Sequence, residues 1–493
     1  MGDDLSVLRE RLAELSDLSR TALVLGWDQR VSMPPRGTEA RAEALATLGR
    51  IAHERFTDPE IGRLLDRLTP FGESLPYDSD DASLIRVTRR DWEKARRVPA
   101  DLRVELTRAA ARGHQAWVEA RRNNDFASFL PVLRTNIELK RRYVACFDPA
   151  DSPYTPLLDD YEPGMETAEV REVFAVLRPA LTELVAAASP VDASFLHGSF
   201  PPDAQRAFAE RVLATIGFEE GAWRLDPTVH PFCTSFSNRD VRLTTRYRPD
   251  DLESVWSTLH EAGHGLYAHG VADSLLRTPL AGAPSLGVNE SQSRTWENLV
   301  GRSRAFWTHW YGPLQETFPG QLGGVELDAF VRAINRAEPG LIRVDADETT
   351  YSLHIILRFE LEQELIDGRL EIAELPGAWN ERFEEYLGIP VTSDREGVLQ
   401  DMHWGGGAFG YFSTYSLGNV MSVQIWERML VDLPELDEQF ARGEFAPLRA
   451  WYGEHLYRHG RKFTPQETLE LACGSTLDAG PYVRYLQAKY AAG

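Results

Sequence analysis

Apolar residues recur at a 3.6-residue interval along most of this chain, and that pattern restricts it to a mainly α-helical fold. Leu5, Leu8, Leu12 and Leu15 open the series, and EIGRLLDRL (60–68) and VREVFAVLRPALTELVAAA (170–188) repeat it. Steps of three and four place these side chains on one helix face, where they can be buried together. Proline and glycine interrupt the pattern at MPPRG (33–37), DPADSPYTP (148–156), SPVD (189–192), FPGQLGG (318–324) and HWGGGAFG (403–410), none of them a long flexible linker. One segment obeys a different rule. VHPFCTSFSNRDVRLTTRY (229–247) carries β-branched and aromatic residues around a central NRD, which predicts a small hairpin.

Within such a fold the stretch WSTLHEAGHGLYAHG (256–270) carries chemistry. His260 and His264 are four apart and share a helix face, with Glu261 beside them; the helix is expected to begin near Asp250 or Asp251, whose carboxylates suit an N-cap, and to run to Gly270. Two imidazoles so placed can grip one ion. A catalytic zinc takes three protein ligands and leaves one position open. The extended pattern with a third histidine is excluded, because Tyr267 and Gly270 stand where it needs glycine and histidine. The remaining solution is a glutamate from a later helix, and Glu290 in GVNESQSRTWENLV (287–300) is assigned as the third ligand. Glu297, seven residues on, could face the same way, but is read as a solvated helix residue. With zinc there, water would be acidified and a carbonyl polarised while Glu261 moves the proton. The bland alternative is a helix with two hydrogen-bonded histidines.

The bulk numbers bound the partners. A formal charge of −22 repels phosphate backbones and anionic membranes, so neither nucleic acid nor membrane is an expected partner. A mean hydropathy of −0.34 and the absence of a long apolar run describe a water-soluble chain. The N-terminus MGDDLSVLRERLAEL is acidic and amphipathic, unlike a secretory signal, so a cytoplasmic location is expected. Cys146, Cys233 and Cys473 lie far apart and read as buried thiols, not a disulfide framework. Length alone allows about one to three domains.

Eight short stretches in order resemble the Taq-type metallocarboxypeptidases, helical zinc-dependent exopeptidases: WDQRVSMPPRG (27–37), HPF (230–232), DVRLT (240–244), HEAGH (260–264), NESQS (289–293), IRVDAD (342–347), GVLQDMHW (397–404) and FGYFSTYSLGN (409–419). The resemblance implies removal of C-terminal residues from peptides, zinc with cobalt as a substitute, and a homodimer. It implies a single unit over 1–493, with helices of 1–190 lining a deep central groove, 191–493 carrying the metal site, and the small hairpin or sheet near it. His260, His264 and Glu290 become metal ligands and Glu261 the general base. Arg343 becomes the anchor of the terminal carboxylate, since a guanidinium gives it two parallel charge-assisted hydrogen bonds. Its structural alternative is an ion pair with Asp345 or Asp347, and Arg242 is a weaker rival. His403 and Tyr415, or Tyr411 in its place, become donors to the oxyanion, and His230 a substrate contact. Where the family usually has histidine before the ligand glutamate, this chain has Asn289, which puts a supporting contact in question. An endo-acting zinc oligopeptidase and a non-catalytic helical binding protein remain the rival readings.

Overall fold

A computed structural model describes residues 2–148 and 151–490. Helices follow one another along the chain, as the periodicity requires. The first six pair in sequence order as three helical hairpins: Gly2–Val31 with Thr38–Phe56, Pro59–Glu73 with Asp80–Arg97, and Ala100–Asn123 with Phe126–Val144. Leu8 and Leu12 of the first helix are buried, with Leu5 and Leu15 packed at the margin. The run at 60–68 starts behind Asp58, whose Oδ1 accepts from the Glu60 N–H at 2.8 Å, and it buries Ile61, Leu64, Leu65 and Leu68. One contiguous set of buried apolar side chains extends from Leu8 to Leu486. Among the described residues no helix is long and apolar enough to cross a membrane.

Three strands form one small sheet: β1 (Trp223–Pro227), β2 (Cys233–Ser237) and β3 (Asp240–Thr245), in the order β1-β3-β2. The expected hairpin is β2 antiparallel to β3, with an irregularity between Ser235 and Ser237. β1 pairs parallel to β3, Leu225 opposite Leu243, and was not foreseen. Two further differences are local. FPGQLGG contains a helical turn, Pro319–Leu322, because a proline at the first helical position has no N–H to lose. The break at 148–156 gives way to a turn at Thr155–Leu158, while its residues 149 and 150 lie outside the described residues. The three cysteines are free and half-buried, not fully buried as expected.

The sheet packs on the helix Glu253–Gly270, which carries HEAGH. That helix begins at Glu253 with Leu252 as its N-cap, which has no side-chain oxygen to offer, so neither Asp250 nor Asp251 caps it as expected; Asp251 Oδ1, one residue before the cap, accepts from the Glu253 N–H at 3.0 Å. The helix Leu286–Arg294, which carries Glu290, packs across it, and the helix Ser413–Asp432 packs on the far side of the Glu290 helix.

Candidate metal centre and active site

Close helix packing brings the third group to the two histidines. A methyl group on Gly263, inside HEAGH, would lie 2.3 Å from the Gln292 carbonyl oxygen, and one on Gly418 would lie 2.5 Å from Glu290 Cγ. Glycine at both crossings lets the Glu290 helix be gripped from two sides. Glu290 is thereby delivered, buried, to the imidazoles: its Oε2 is 3.5 Å from His264 Nε2 and 3.8 Å from His260 Nε2. These three atoms form the one His/Cys/Asp/Glu cluster suited to an ion among the described residues. Ligands about 2.0–2.2 Å from a tetrahedral zinc stand about 3.3–3.6 Å apart, so the donor set fits such an ion with little movement.

The remaining atoms of these residues are engaged elsewhere. His260 Nδ1 is 2.8 Å from Glu297 Oε2, and His264 Nδ1 is 3.2 Å from Asn289 Oδ1. Each Nδ1–H donates to that oxygen, which leaves the Nε2 lone pair facing Glu290. Asn289 thus supplies a supporting contact to the ligand helix despite replacing a histidine. Arg294 Nε donates to Glu290 Oε1 at 2.8 Å, leaving Oε2 for an ion, and Arg294 Nη1 donates to Glu297 Oε2 at 3.1 Å. Glu297 is therefore not the solvated residue expected from the sequence. It lies in a π-helical stretch, Thr295–Val300, that continues the Glu290 helix, and it turns back onto His260.

Charge separates the roles of the three glutamates. Burial would raise Glu290 and Glu297, but Arg294 and the imidazoles more than offset it and hold both carboxyls well below the usual range. Glu261, buried next to them, is pushed up to about 8 by desolvation, with the Glu290 and Glu297 charges adding to the effect.

A second cluster stands next to this one. The rings of His403, Tyr411 and Tyr415 lie 5.2 Å (His403–Tyr411), 6.3 Å (His403–Tyr415) and 5.3 Å (Tyr411–Tyr415) apart between centroids. Tyr415 is one turn before Gly418 on the helix that crosses Glu290, and both phenols feel the Glu290 charge. Burial pushes His403 down to about 4 against the pull of Asp401, so its ring is neutral at pH 7, and burial pushes both phenols up. All three are hydrogen-bond donors near neutrality.

Arg343 borders this cluster, its Cζ 5.1 Å from the Tyr415 ring centre. Its partner is Asp401, not Asp345 or Asp347: Nε and Nη2 donate to Asp401 Oδ1 at 3.0 and 2.7 Å, and Nη1 to the Tyr351 hydroxyl at 3.1 Å. Arg358 Nε donates to the other oxygen of Asp401 at 2.8 Å. Two buried guanidiniums thus share one carboxylate. Arg242 is held by Asp240 at 2.8 Å and stacked on Trp27 at 4.6 Å. His230 is exposed in the loop before β2. Arg294 and Asp401 were the groups missed. The first had a signal, since it lies four residues after Glu290 on one helix face; the second sits inside the GVLQDMHW stretch.

A family profile described as Carboxypeptidase Taq (M32) metallopeptidase matches residues 7–490. The chain belongs to the M32 family. It is a metal-dependent carboxypeptidase, a peptide hydrolase whose fold and sequence run the full length of its relatives. Thermostable carboxypeptidase 1 of Thermus thermophilus is 42% identical, covering 98% of each chain. Carboxypeptidase 1 of Bacillus subtilis is 36% identical over 97% of this chain and 96% of its own. The crystal structure of an M32 carboxypeptidase from Deinococcus radiodurans is 41% identical, covers 99% of both chains and superposes with a TM-score of 0.95.

Proposed function

We propose that this M32 carboxypeptidase uses zinc, held by His260, His264 and Glu290, with Glu261 as general base, and that cobalt substitutes for it. The observation that carries the reading is the convergence of two Nε2 atoms and one carboxylate oxygen, each with its other polar atom already bonded. A divalent cation supplies positive charge that acidifies water and polarises a peptide carbonyl. Glu261 takes the proton from the attacking water and passes it to the departing amine, a task suited to a buried carboxylate next to the ion's ligands that does not itself hold the ion. His403 and Tyr415 donate to the oxygen on which charge develops, with Tyr411 as the alternative phenol and a substrate contact. Arg343 anchors the terminal carboxylate. The excess of positive charge from Arg343 and Arg358 over the single Asp401 supports this, because the cluster can accept a second carboxylate. His230 is assigned to substrate binding on the family likeness alone.

The same likeness leads us to assign a cytoplasmic homodimer working as one unit over 1–493, with the helices of 1–190 lining a deep groove and 191–493 carrying the metal site. A cavity of about 170 Å³ supports the groove: Arg20 of the first helix, Ser235 of β2, His264 and Asn289 all line it. Arg20 spans it, donating to the Ser235 carbonyl at 2.8 Å and the Ala281 carbonyl at 2.6 Å. The decisive experiment compares a free-acid peptide with its C-terminal amide. The anchored reading expects the free acid to be cleaved at least about tenfold faster, the discrimination of one lost charge-assisted contact; equal cleavage assigns the enzyme to the endo-acting class. Metal analysis after dialysis tests the ion: about one equivalent of zinc is expected, and a stoichiometric different cation refutes zinc.

A further inference from the structure

The metal-holding helices and the donor cluster come from distant parts of the chain, and their separation has to be fixed to a fraction of an ångström for them to act on one substrate. One segment, buried at Tyr154, Pro156–Leu158 and Glu162, touches both. Residues 154–162, YTPLLDDYE, run between the Glu290 helix and the Gly-rich stretch 403–410. At one end the Tyr161 carbonyl accepts the Leu286 N–H at 3.0 Å, and Glu162 Oε1 accepts the Gly287 N–H at 2.5 Å. These are orphan donors of the first turn of the Glu290 helix, and Glu162 is fully buried. At the other end the Tyr154 hydroxyl donates to Glu362 Oε2 at 2.5 Å. Glu362, also fully buried, receives the Trp404 Nε1–H on Oε1 at 2.7 Å and the Gly410 N–H on Oε2 at 2.9 Å. Trp404 directly follows His403, and Gly410 directly precedes Tyr411. At the Glu162 end, the Tyr161 ring also packs edge-on against Tyr411, centroids 5.1 Å apart.

We propose that residues 154–162 are a strap that sets the distance between the metal centre and the donor cluster, with Glu162 and Glu362 as its two positioning residues. Neither carboxyl belongs to the His260, His264 and Glu290 set or to the donor cluster. Glu162 acts through the N-terminus of the Glu290 helix, and Glu362 acts through both ends of the loop that presents His403 and Tyr411. A fully buried carboxyl is costly to keep, and a site that needed only apolar packing would not hold two. The proposal rests on the reading of His260, His264 and Glu290 as ligands and of His403 and Tyr411 as active-site groups.

The test reads metal affinity and turnover separately on the intact enzyme, by competition with a chelator for zinc and by kcat on a free-acid peptide at saturating zinc. Glu162→Ala is expected to weaken zinc binding about 10- to 100-fold, the size of effect seen when a group supporting a ligand is lost. Glu162→Gln keeps the acceptor oxygen and should restore binding to within about threefold of the parent. Should Glu162→Ala fail to fold, Glu162→Asp, which withdraws the acceptor by one methylene, takes its place between the two. Glu362→Gln sets an amide donor against at least one of three buried donors. It should leave zinc affinity within about threefold while kcat falls about 10- to 100-fold. In a His403→Ala, Tyr411→Phe background the same substitution should add little further loss, because it acts through those groups. Unchanged zinc affinity in Glu162→Ala or Glu162→Asp, unchanged kcat in Glu362→Gln, or full additivity with the double substitution overturns the strap. If instead His260→Ala keeps its zinc, or the His403 and Tyr411 substitutions alone leave kcat intact, the underlying site reading fails and the strap with it.

Discussion

Glu261 and Glu297 both lie beside the HEAGH imidazoles, yet their loss should fail the enzyme in different ways. Glu261 makes no contribution to holding an ion, so Glu261→Gln is expected to bind zinc as the parent does while turnover drops by about 10³-fold, the usual share of a general base. Equilibrium dialysis against labelled zinc, run beside peptide hydrolysis, checks both halves, and substantial residual turnover would reassign the base. Glu297 is the mirror case. It accepts the Nδ1–H of His260 and is itself braced by Arg294, so it fixes which imidazole nitrogen is free to coordinate. Glu297→Ala should weaken zinc about 10- to 100-fold and recover much of its kcat at high zinc, whereas Glu261→Gln recovers nothing. A zinc titration of activity distinguishes the two outcomes directly.

Packing between helices decides whether those side chains meet at all, and it turns on glycines that sequence inspection treats as punctuation. A methyl on Gly263 would sit 2.3 Å from the Gln292 carbonyl, backbone that cannot swing away, so Gly263→Ala must spread the HEAGH and Glu290 helices. We expect a loss of about 1–3 kcal/mol in the thermal stability of the metal-free protein, together with weaker zinc binding. Gly49, exposed inside the helix Thr38–Phe56 with nothing within 4 Å of an added methyl, is the control, and Gly49→Ala should be neutral or stabilising by up to about 1 kcal/mol. Equal effects at the two positions, followed by differential scanning calorimetry, would remove close packing as the reason for Gly263. The contrast also marks what periodicity can convey. Helix faces, the β2–β3 hairpin and the convergence of His260, His264 and Glu290 were all readable, because each depends on spacing along one element or on the ligand count of an ion. β1 was not, since a five-residue strand pairing in parallel leaves neither a turn signal nor a long alternation. The bond from Glu297 to His260 escaped because the residue sits in a π-helical stretch, and the partner of Arg343 escaped because Asp401 lies 58 positions away and ionic pairing has no sequence period.

Taken over the full chain, the buried ionisable groups oppose one another in a way that fixes how stability should respond to pH. Burial pushes Glu162 up to about 8 and Glu362 up to about 7, against 4.5 for an ordinary glutamate. The folded protein therefore keeps protons that the unfolded chain has released. Their stabilising effect is complete below pH 4.5 and is lost as pH rises towards 7 and 8, at about 1.4 kcal/mol per pH unit for each group while the difference persists. Asp401 works the other way: Arg343 and Arg358 overcome its burial and hold it far below the usual range, so its contribution is present at neutral pH and disappears only as pH falls below about 4. His403 and His354, both depressed by burial, contribute fully above their ordinary 6.5 and weaken the fold as pH falls beneath it. Between pH 6.5 and 8 the histidines and Asp401 are spent, and the raised carboxyls govern the slope. The metal-free protein is the right material, because a bound cation adds its own proton release. Its melting temperature is expected to fall as pH rises across that window. Glu162→Gln imitates the protonated acid and cannot titrate, so its melting temperature should fall less steeply over the same range while matching the parent near pH 5. Parallel slopes for the two proteins would mean that Glu162 is already ionised in the fold, and that the first turn of the Glu290 helix is held by a charge instead of a neutral acid.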